Sequence, residues 1–326
     1  MSDLSMSAHN KTIAYWLFGV AAMVLTMAVI GAITRLTGSG LSMVEWQPVS
    51  GILPPLSEQQ WLEEFNLYRQ SPEYQKINAG MALEDFKFIF FWEWFHRIWG
   101  RMIGAALAIP LLIFALKKII PQGYTLKIFG VGLLVGCQAL MGWYMVQSGL
   151  VERPSVSHYR LAAHLSLAFV IFGALLWLAF DLLELNKKEA VFCVRRHGWT
   201  SLGFLSITVV WGAFVAGLDA GLLYNSFPLM NGDVFPSGSP DILNDHGWVQ
   251  FAHRWIAMFT GLFVFAFALR IQSWALAGMV ITQVGLGIAT LLSQVWIPLA
   301  TLHQAGAFIL VGILLFELFR LKRVNQ

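Results

Sequence analysis

The chain has 326 residues, of which 57% are hydrophobic and 12% are charged. A soluble domain carries about a quarter charged residues, so this composition excludes an ordinary soluble protein, and the mean hydropathy of +0.66 indicates a membrane protein. The net charge of +3 is too small to indicate a nucleic-acid-binding protein.

Eight apolar segments are each long enough to cross a bilayer as a helix, which takes about 20 residues. They predict an all-α, polytopic membrane protein. Lysines and arginines follow the even-numbered segments and end the chain, so the positive-inside rule predicts that both termini are cytoplasmic. The predicted spans are residues 13–35, 88–116, 128–147, 160–182, 199–218, 248–269, 274–293 and 299–319.

The first outer connector, residues 36–87, is long enough to contain structure of its own. Ser57 and Gln60 have the spacing of a capping box, which predicts the start of a helix. The apolar residues that follow share one face of that helix, which predicts a short helix lying on the outer surface, with a lid over a site as the alternative. These residues are Trp61, Phe65 and Tyr68.

Five arginines lie at or inside the outer ends of predicted helices. An arginine inside a membrane costs about 2.5–3.5 kcal/mol on insertion scales, so it needs a partner. An ion pair between Glu93 and Arg97, which are i and i+4 on one helix, is one interpretation. Contact with a bound acidic ligand at the outer surface is the other. The five are Arg35, Arg97, Arg101, Arg160 and Arg254.

The two halves of the chain resemble each other, which predicts a tandem repeat of two four-helix bundles, residues 1–186 and 187–326. His96-Arg97 in the second span matches His253-Arg254 in the sixth. Because each repeat has an even number of helices, both halves insert in the same orientation, as a parallel repeat. The further matches are Gly31 with Gly212, Gly40 with Gly221, Gln138 with Gln283, Gly142 with Gly287, and His164 with His303.

Four histidines fall at one predicted depth, near the outer ends of the even-numbered spans. The repeat pairs His96 with His164, and His253 with His303. Two imidazoles that face each other across a helix bundle satisfy a six-coordinate heme iron. A lone membrane histidine is more often an interhelical hydrogen-bond partner, but four at matched repeat positions favour two hemes.

Other metal chemistry is less favoured. The histidine pairs lack third and fourth ligands for a bare zinc ion. Cys137 lies in an apolar segment and Cys193 in a basic connector, which favours neither a disulfide nor a cysteine metal site. The remaining histidines are predicted to lie outside the spans: His9 and His197 solvated on the cytoplasmic side, and His158 and His246 in outer loops.

The halves differ beside these histidines. Glu93 stands three residues before His96, whereas Gln250 stands three residues before His253. At i and i+3 the carboxylate shares a helix face with the imidazole, and a buried carboxylate can transfer protons or stabilise positive charge. The asymmetry favours a reacting half and an electron-supplying half, with a Glu93–Arg97 pair as the structural alternative.

The chain resembles the heme A synthase family over its whole length. The long first outer connector resembles the branch found in mitochondria and many proteobacteria, and the cysteine pair that other branches carry in outer loops is missing. The stretches that carry the resemblance are residues 34–42, 72–78, 91–97 with Gly100-Arg101, 217–221, 224–230, 251–254 and 302–304.

This resemblance implies an enzyme that oxidises a methyl group of heme O to a formyl group, giving heme A for terminal oxidases. The family's reaction proceeds by successive hydroxylations to a geminal diol, which loses water. His253 and His303 match the ligands of a bound heme b. His96 and His164 match the ligands proposed for the substrate heme, and Glu93 matches the family's catalytic acidic residue.

Two other functions remain open on the residues alone. A diheme cytochrome b would pass electrons from quinol and leave its porphyrins unchanged, and a heme carrier or chaperone would return heme O unmodified.

The expected setting is the bacterial inner membrane, with the heme sites near its outer face. Expected partners are membrane lipid, heme O synthase and an unidentified electron donor; a homo-oligomer is open, and no nucleic acid is expected.

Overall fold

The computed structural model describes residues 3–45, 51–150 and 154–323. Eight of its helices are long and apolar enough to cross a membrane, which confirms the predicted all-α, polytopic membrane fold. The spanning helices are α1, α4, α5, α6, α7, α8, α9 and α10, and α2 and α3 are short. In chain order the helices are α1 (Asp3–Leu36), α2 (Glu58–Tyr68), α3 (Pro72–Lys76), α4 (Leu83–Leu116), α5 (Thr125–Leu150), α6 (His158–Leu182), α7 (Phe192–Gly217), α8 (His246–Arg270), α9 (Trp274–Leu292) and α10 (Ile297–Arg320).

Several spanning helices are longer than the hydropathy pattern predicts, because a helix continues past the apolar stretch that crosses the bilayer. The helix α7, for example, begins at Phe192 rather than at residue 199. Cys193 therefore lies on a helix and not in a connector. His158 and His246 are the first residues of α6 and α8, so their predicted placement in outer loops is wrong.

The centre of the molecule is built from α1, α6, α7 and α10, while α4, α5, α8 and α9 flank them. Phe308 of α10 is fully buried against α6, where its ring stacks on Phe169 with centroids 3.8 Å apart and meets Phe172 edge-on at 5.3 Å. Helices of both halves therefore share one core. The division into residues 1–186 and 187–326 stays a prediction.

The described part of the first outer connector packs on the start of α4; its residues 46–50 lie outside the described part. The capping box is confirmed, because the Gln60 amide donates to Ser57 Oγ and the Ser57 amide donates to Gln60 Oε1. Phe65 and Tyr68 are buried, and the Trp61 ring lies 5.1 Å from that of Phe90. The predicted short surface helix is therefore present as α2.

Two three-residue strands, which the sequence did not predict, join the middle of the chain to its end. β1 (Lys188–Ala190) pairs in parallel with β2 (Leu321–Arg323), with Lys188 opposite Leu321. The pairing holds the connector between α6 and α7 against the end of α10. This end of the bundle, where the basic connectors lie, is called the basic face below.

Candidate heme sites

The four predicted histidines lie on four different spanning helices. His164, His253 and His303 are six or seven residues after the first residues of α6, α8 and α10 (164 − 158, 253 − 246 and 303 − 297), which is about 9–11 Å along a helix. His96 is thirteen residues after the first residue of α4 (96 − 83), because α4 begins in the outer connector. All four rings are half-buried.

Each histidine ring lies against a glycine of a neighbouring helix. A Cβ added to any of these glycines would lie 3.0–3.1 Å from Cε1 of the facing ring, which is closer than ordinary van der Waals contact. The same helix positions meet in both halves, and this equivalence supports the predicted repeat. The pairs are Gly31 with His96, Gly142 with His164, Gly212 with His253, and Gly287 with His303.

Two glutamines hold the second histidine of each pair. The Gln138 amide lies 3.3 Å from His164 Nδ1 and donates to the His164 carbonyl at 3.1 Å. Gln283 stands in the same relation to His303, at 3.2 Å from Nδ1 and 3.0 Å from the carbonyl. The repeat singles out both glutamines in the sequence, but it does not indicate this role.

The histidine pairs fit a heme better than a bare metal ion. The repeat predicts the pairs His96 with His164 and His253 with His303. Nδ1 of His96 and of His253 is buried without a hydrogen-bond partner among the described residues. Over the same residues, no three histidine, cysteine, aspartate or glutamate side chains cluster to bind a metal ion. Buried imidazole nitrogens without a partner are complementary to an iron that takes its other four ligands from a porphyrin.

Glu93 is buried and hydrogen-bonded through both carboxylate oxygens. Arg97 Nη2 donates to Oε1 at 2.6 Å. Ser42 Oγ and the Met43 amide donate to Oε2 at 2.8 and 2.7 Å. The ion pair considered from the sequence is therefore present. Arg97 also donates to the carbonyls of Met43 and Glu45, so the ion pair holds the chain that follows α1 against α4.

The second half contains the same arrangement with one chemical difference. Arg254 donates to the carbonyls of Tyr224 and Ser226, which stand 181 residues after Met43 and Glu45 (224 − 43, 226 − 45), as Gly212 does after Gly31. Gln250 also donates to the Tyr224 carbonyl, at 3.0 Å. The second half therefore holds its loop without a carboxylate, and the negative charge of Glu93 is particular to the first.

The other arginines singled out by the sequence lie around the same end of the bundle. Arg35, in the last turn of α1, donates to the Ala216 carbonyl and pairs with Asp219 at 2.9 Å, which links the two halves. Arg160 donates to the Tyr144 carbonyl, and its guanidinium lies 3.8 Å from the centre of the Tyr144 ring. Arg101 lies on α4, one turn after Arg97.

The remaining histidines have structural roles. His158 is buried, with Nε2 3.1 Å from the Leu243 carbonyl. His197 contacts the Phe263 carbonyl at 3.1 Å and packs on the Phe263 and Phe267 rings. The prediction that His197 is solvated is wrong, because α7 starts early enough to carry it into the helix packing. His9 is half-buried on α1.

The fold and these contacts define a polytopic α-helical membrane protein with four half-buried histidines, each against a glycine of a neighbouring helix. The chain matches the family described as "Cytochrome oxidase assembly protein" over residues 14–315, and it belongs to that family. It is 49% identical to the heme A synthase of Rhodospirillum centenum, over 99% of this chain and 94% of that protein. It is 44% identical to the heme A synthase of Nitrosospira multiformis, over 97% of this chain and 95% of the relative. It is 43% identical to the heme A synthase of Parvibaculum lavamentivorans, over 97% of this chain and 96% of that protein.

Proposed function

We propose that this protein is a heme A synthase, which oxidises a methyl group of heme O to a formyl group. The observation that carries the proposal is the unequal pair of sites. Both histidine pairs pack in the same way, but a buried carboxylate stands beside only one of them. The names of relatives that match nearly the whole chain support the same activity.

The C-terminal pair, His253 and His303, would hold heme b as a permanent cofactor. Heme b supplies one-electron redox chemistry when it is bound. The chain's own contribution is to orient the ligands: Gly212 and Gly287 admit the rings, and Gln283 lies at His303 Nδ1. The Gln283 amide nitrogen also donates to the His303 carbonyl, so it fixes the orientation of this ring relative to its own helix.

The N-terminal pair, His96 and His164, would hold the iron of heme O. Glu93 lies one helical turn from His96 on α4 and is the residue that the opposite half replaces with an amide. Its carboxylate accepts from three donors and has both oxygens occupied. This arrangement favours a fixed negative charge, which stabilises positive charge developing on the substrate, over a base that exchanges protons.

The arginines at this end of the bundle are the candidates for binding propionates. A guanidinium has five N–H donors, so an arginine that already binds a carbonyl retains donors for a heme carboxylate. Charge at this end would orient both hemes with their propionates toward outer water. The candidates are Arg35, Arg97, Arg101, Arg160 and Arg254.

The proposed setting is the bacterial inner membrane, with both termini in the cytoplasm and the heme sites near the outer face. The asymmetry of basic residues between the two ends of the bundle supports this orientation. Heme O is the proposed substrate, heme O synthase a proposed partner that supplies it, and a further protein or quinol the electron donor.

Co-expression with heme O synthase tests the proposal directly. Hemes extracted from membranes are identified by mass, and we expect heme A or its hydroxylated precursor together with heme b. A diheme cytochrome b would yield unmodified hemes that quinol reduces, and a carrier would yield heme O alone. Recovery of heme O without any oxidised product, from protein that holds heme b, would contradict the proposal.

A further inference from the structure

A cavity of about 340 Å³ opens at the basic face, at the opposite end of the bundle from the histidines. It lies where the ends of α6 and α10 meet the start of α7. Its volume is within the range of about 300–1,000 Å³ that is usual for small-molecule sites. Three aromatic and three basic side chains line most of it: Trp177, Trp199 and Phe319, and Lys187, Arg195 and Lys322.

The basic side chains outnumber the acidic ones in the described lining of the cavity. Asp181 also lines the cavity, but its Oδ2 accepts from the Tyr124 hydroxyl at 2.7 Å and lies 3.6 Å from Lys127 Nζ. Among the described residues, none of the three cations forms a salt bridge. Among the described residues that line the cavity, three are basic and one is acidic, so the lining has a net positive charge.

One of these cations also has a buried donor without a partner. Arg195 Nε is buried and makes no hydrogen bond to any described residue. A buried donor without an acceptor is unfavourable, so Arg195 is stabilised if an anion in the cavity draws its guanidinium out of this position. The charge of the lining residues indicates an anionic, oxygen-bearing ligand.

The aromatic wall shows what kind of molecule carries that anion. Trp177 lies 5.8 Å from Trp199 and 5.1 Å from Phe319, centroid to centroid. Trp199 is 45% exposed on the outside of the helix bundle. Tryptophans at this depth lie in the interfacial zone of a bilayer. A small free anion has no apolar part that could contact these aromatic rings. A lipid has one, because its glycerol and upper acyl chains would pack against them.

We propose that this cavity binds the phosphodiester headgroup of an anionic phospholipid. Lys187, Arg195 and Lys322 bind the phosphate, and Trp177 and Trp199 contact the acyl chains. The leaflet next to a basic face is the cytoplasmic one, where anionic lipids attract clustered basic residues. The strand pair β1–β2 shapes the site by holding Lys322 beside the connector that carries Lys187.

Native mass spectrometry of the purified full chain, titrated with phosphatidylglycerol, tests this proposal. The triple variant Lys187→Gln, Arg195→Gln, Lys322→Gln should bind the lipid about a hundredfold more weakly, since each basic residue near an anionic headgroup contributes roughly fivefold. The matched control removes three charges from the same face outside the cavity: Lys117→Gln, Lys118→Gln, Arg196→Gln. We expect the control to bind phosphatidylglycerol within about twofold of the unchanged protein, because salt screens exposed charges that lie outside the cavity.

Three results would overturn the proposal. One is an equal loss in both triple variants, which would mean diffuse attraction by the whole face. A second is phosphatidylcholine binding as tightly as phosphatidylglycerol. The third is displacement of the lipid by glycerol phosphate or inorganic phosphate at equal concentration, which would assign the cavity to a free anion. If the triple variant does not fold, Arg195→Gln alone decides, with about a fivefold loss expected against the single control Arg196→Gln.

Discussion

At the scale of single residues, the position of greatest consequence is Glu93. Its carboxylate has two roles in the structure: it carries a negative charge where the second half has the neutral Gln250, and it holds the chain after α1 through Ser42 and Met43. Substitution tests separate the roles, because Ser42 contributes only to the second.

Glu93→Gln should lower the yield of heme A by about tenfold or more while leaving the heme b spectrum unchanged, because it removes the charge but keeps the shape. Heme A and heme b are measured in the same membranes by extraction and absorbance. Ser42→Ala removes one donor to the carboxylate and keeps its charge, so its heme A yield should fall much less. Equal losses in the two variants would assign Glu93 to holding the loop.

The glycines beside the histidines make a second prediction, and α7 supplies its control. Gly212→Ala places a methyl group 3.1 Å from His253 Cε1, whereas Gly203 on the same helix has nothing within 4 Å of an added Cβ. Gly212→Ala should therefore reduce bound heme b, and Gly203→Ala should retain it and gain about 1 kcal/mol of helix propensity. Heme content per protein is the measurement, and equal content in both variants would contradict the packing argument.

At the scale of elements, the two short outer helices are joined by a buried polar cluster. Tyr68, at the end of α2, donates to Glu73 of α3 at 3.0 Å, and Asn78 donates to the Tyr68 hydroxyl at 2.7 Å. Burial raises the pKa of Glu73 from 4.5 to about 7; nearby Glu93 adds to this, while the Tyr68 hydrogen bond and Arg35 oppose it. Burial and Glu73 also raise the pKa of Tyr68.

The sign of the resulting pH dependence follows from the raised pKa of Glu73. Between pH 4.5 and about 7 the folded loop holds a proton that the unfolded loop releases, so stability falls as pH rises through this window. Hydrogen exchange of residues 71–78, corrected for the intrinsic effect of pH, should therefore be faster at pH 8 than at pH 5. Glu73→Gln should remove most of this difference, and an unchanged pH response would contradict the assignment.

At the scale of the whole molecule, the two halves are packed together and not merely connected. Phe308→Ala should destabilise the protein by about 3–5 kcal/mol, because it leaves a cavity between α6 and α10. Phe129, on the outside of α5, is 64% exposed, so Phe129→Ala is the matched control and should change stability little. Thermal unfolding in detergent measures both, and equal effects would mean that the shared core contributes no more than surface contact does.

Much of this architecture is predictable from the sequence. The number and order of the spanning helices follow from hydropathy, because an apolar stretch that spans a bilayer must satisfy its backbone within one helix. The repeat predicts the histidine pairs, and the matched glycine contacts of the four rings support that prediction. The helix ends are predicted less well, since the first turns of α7 carry charged residues that a hydropathy criterion excludes.

What only the tertiary structure decided are the contacts between helices far apart in the chain. Three sets of contacts depend on which helix faces meet. They are the contacts between the histidine rings and glycines, the contacts of the two glutamines with histidine nitrogens, and the hydrogen bonds donated to Glu93. Composition does not specify those faces, because a helix in lipid is apolar on every side. The cavity at the basic face belongs to the same group: its cations were predictable as a cytoplasmic signal, but only the packing of α6, α7 and α10 brings them around one space. The sequence by itself determined the membrane fold and the candidate histidines, and the packing of the helices determined what surrounds each of them.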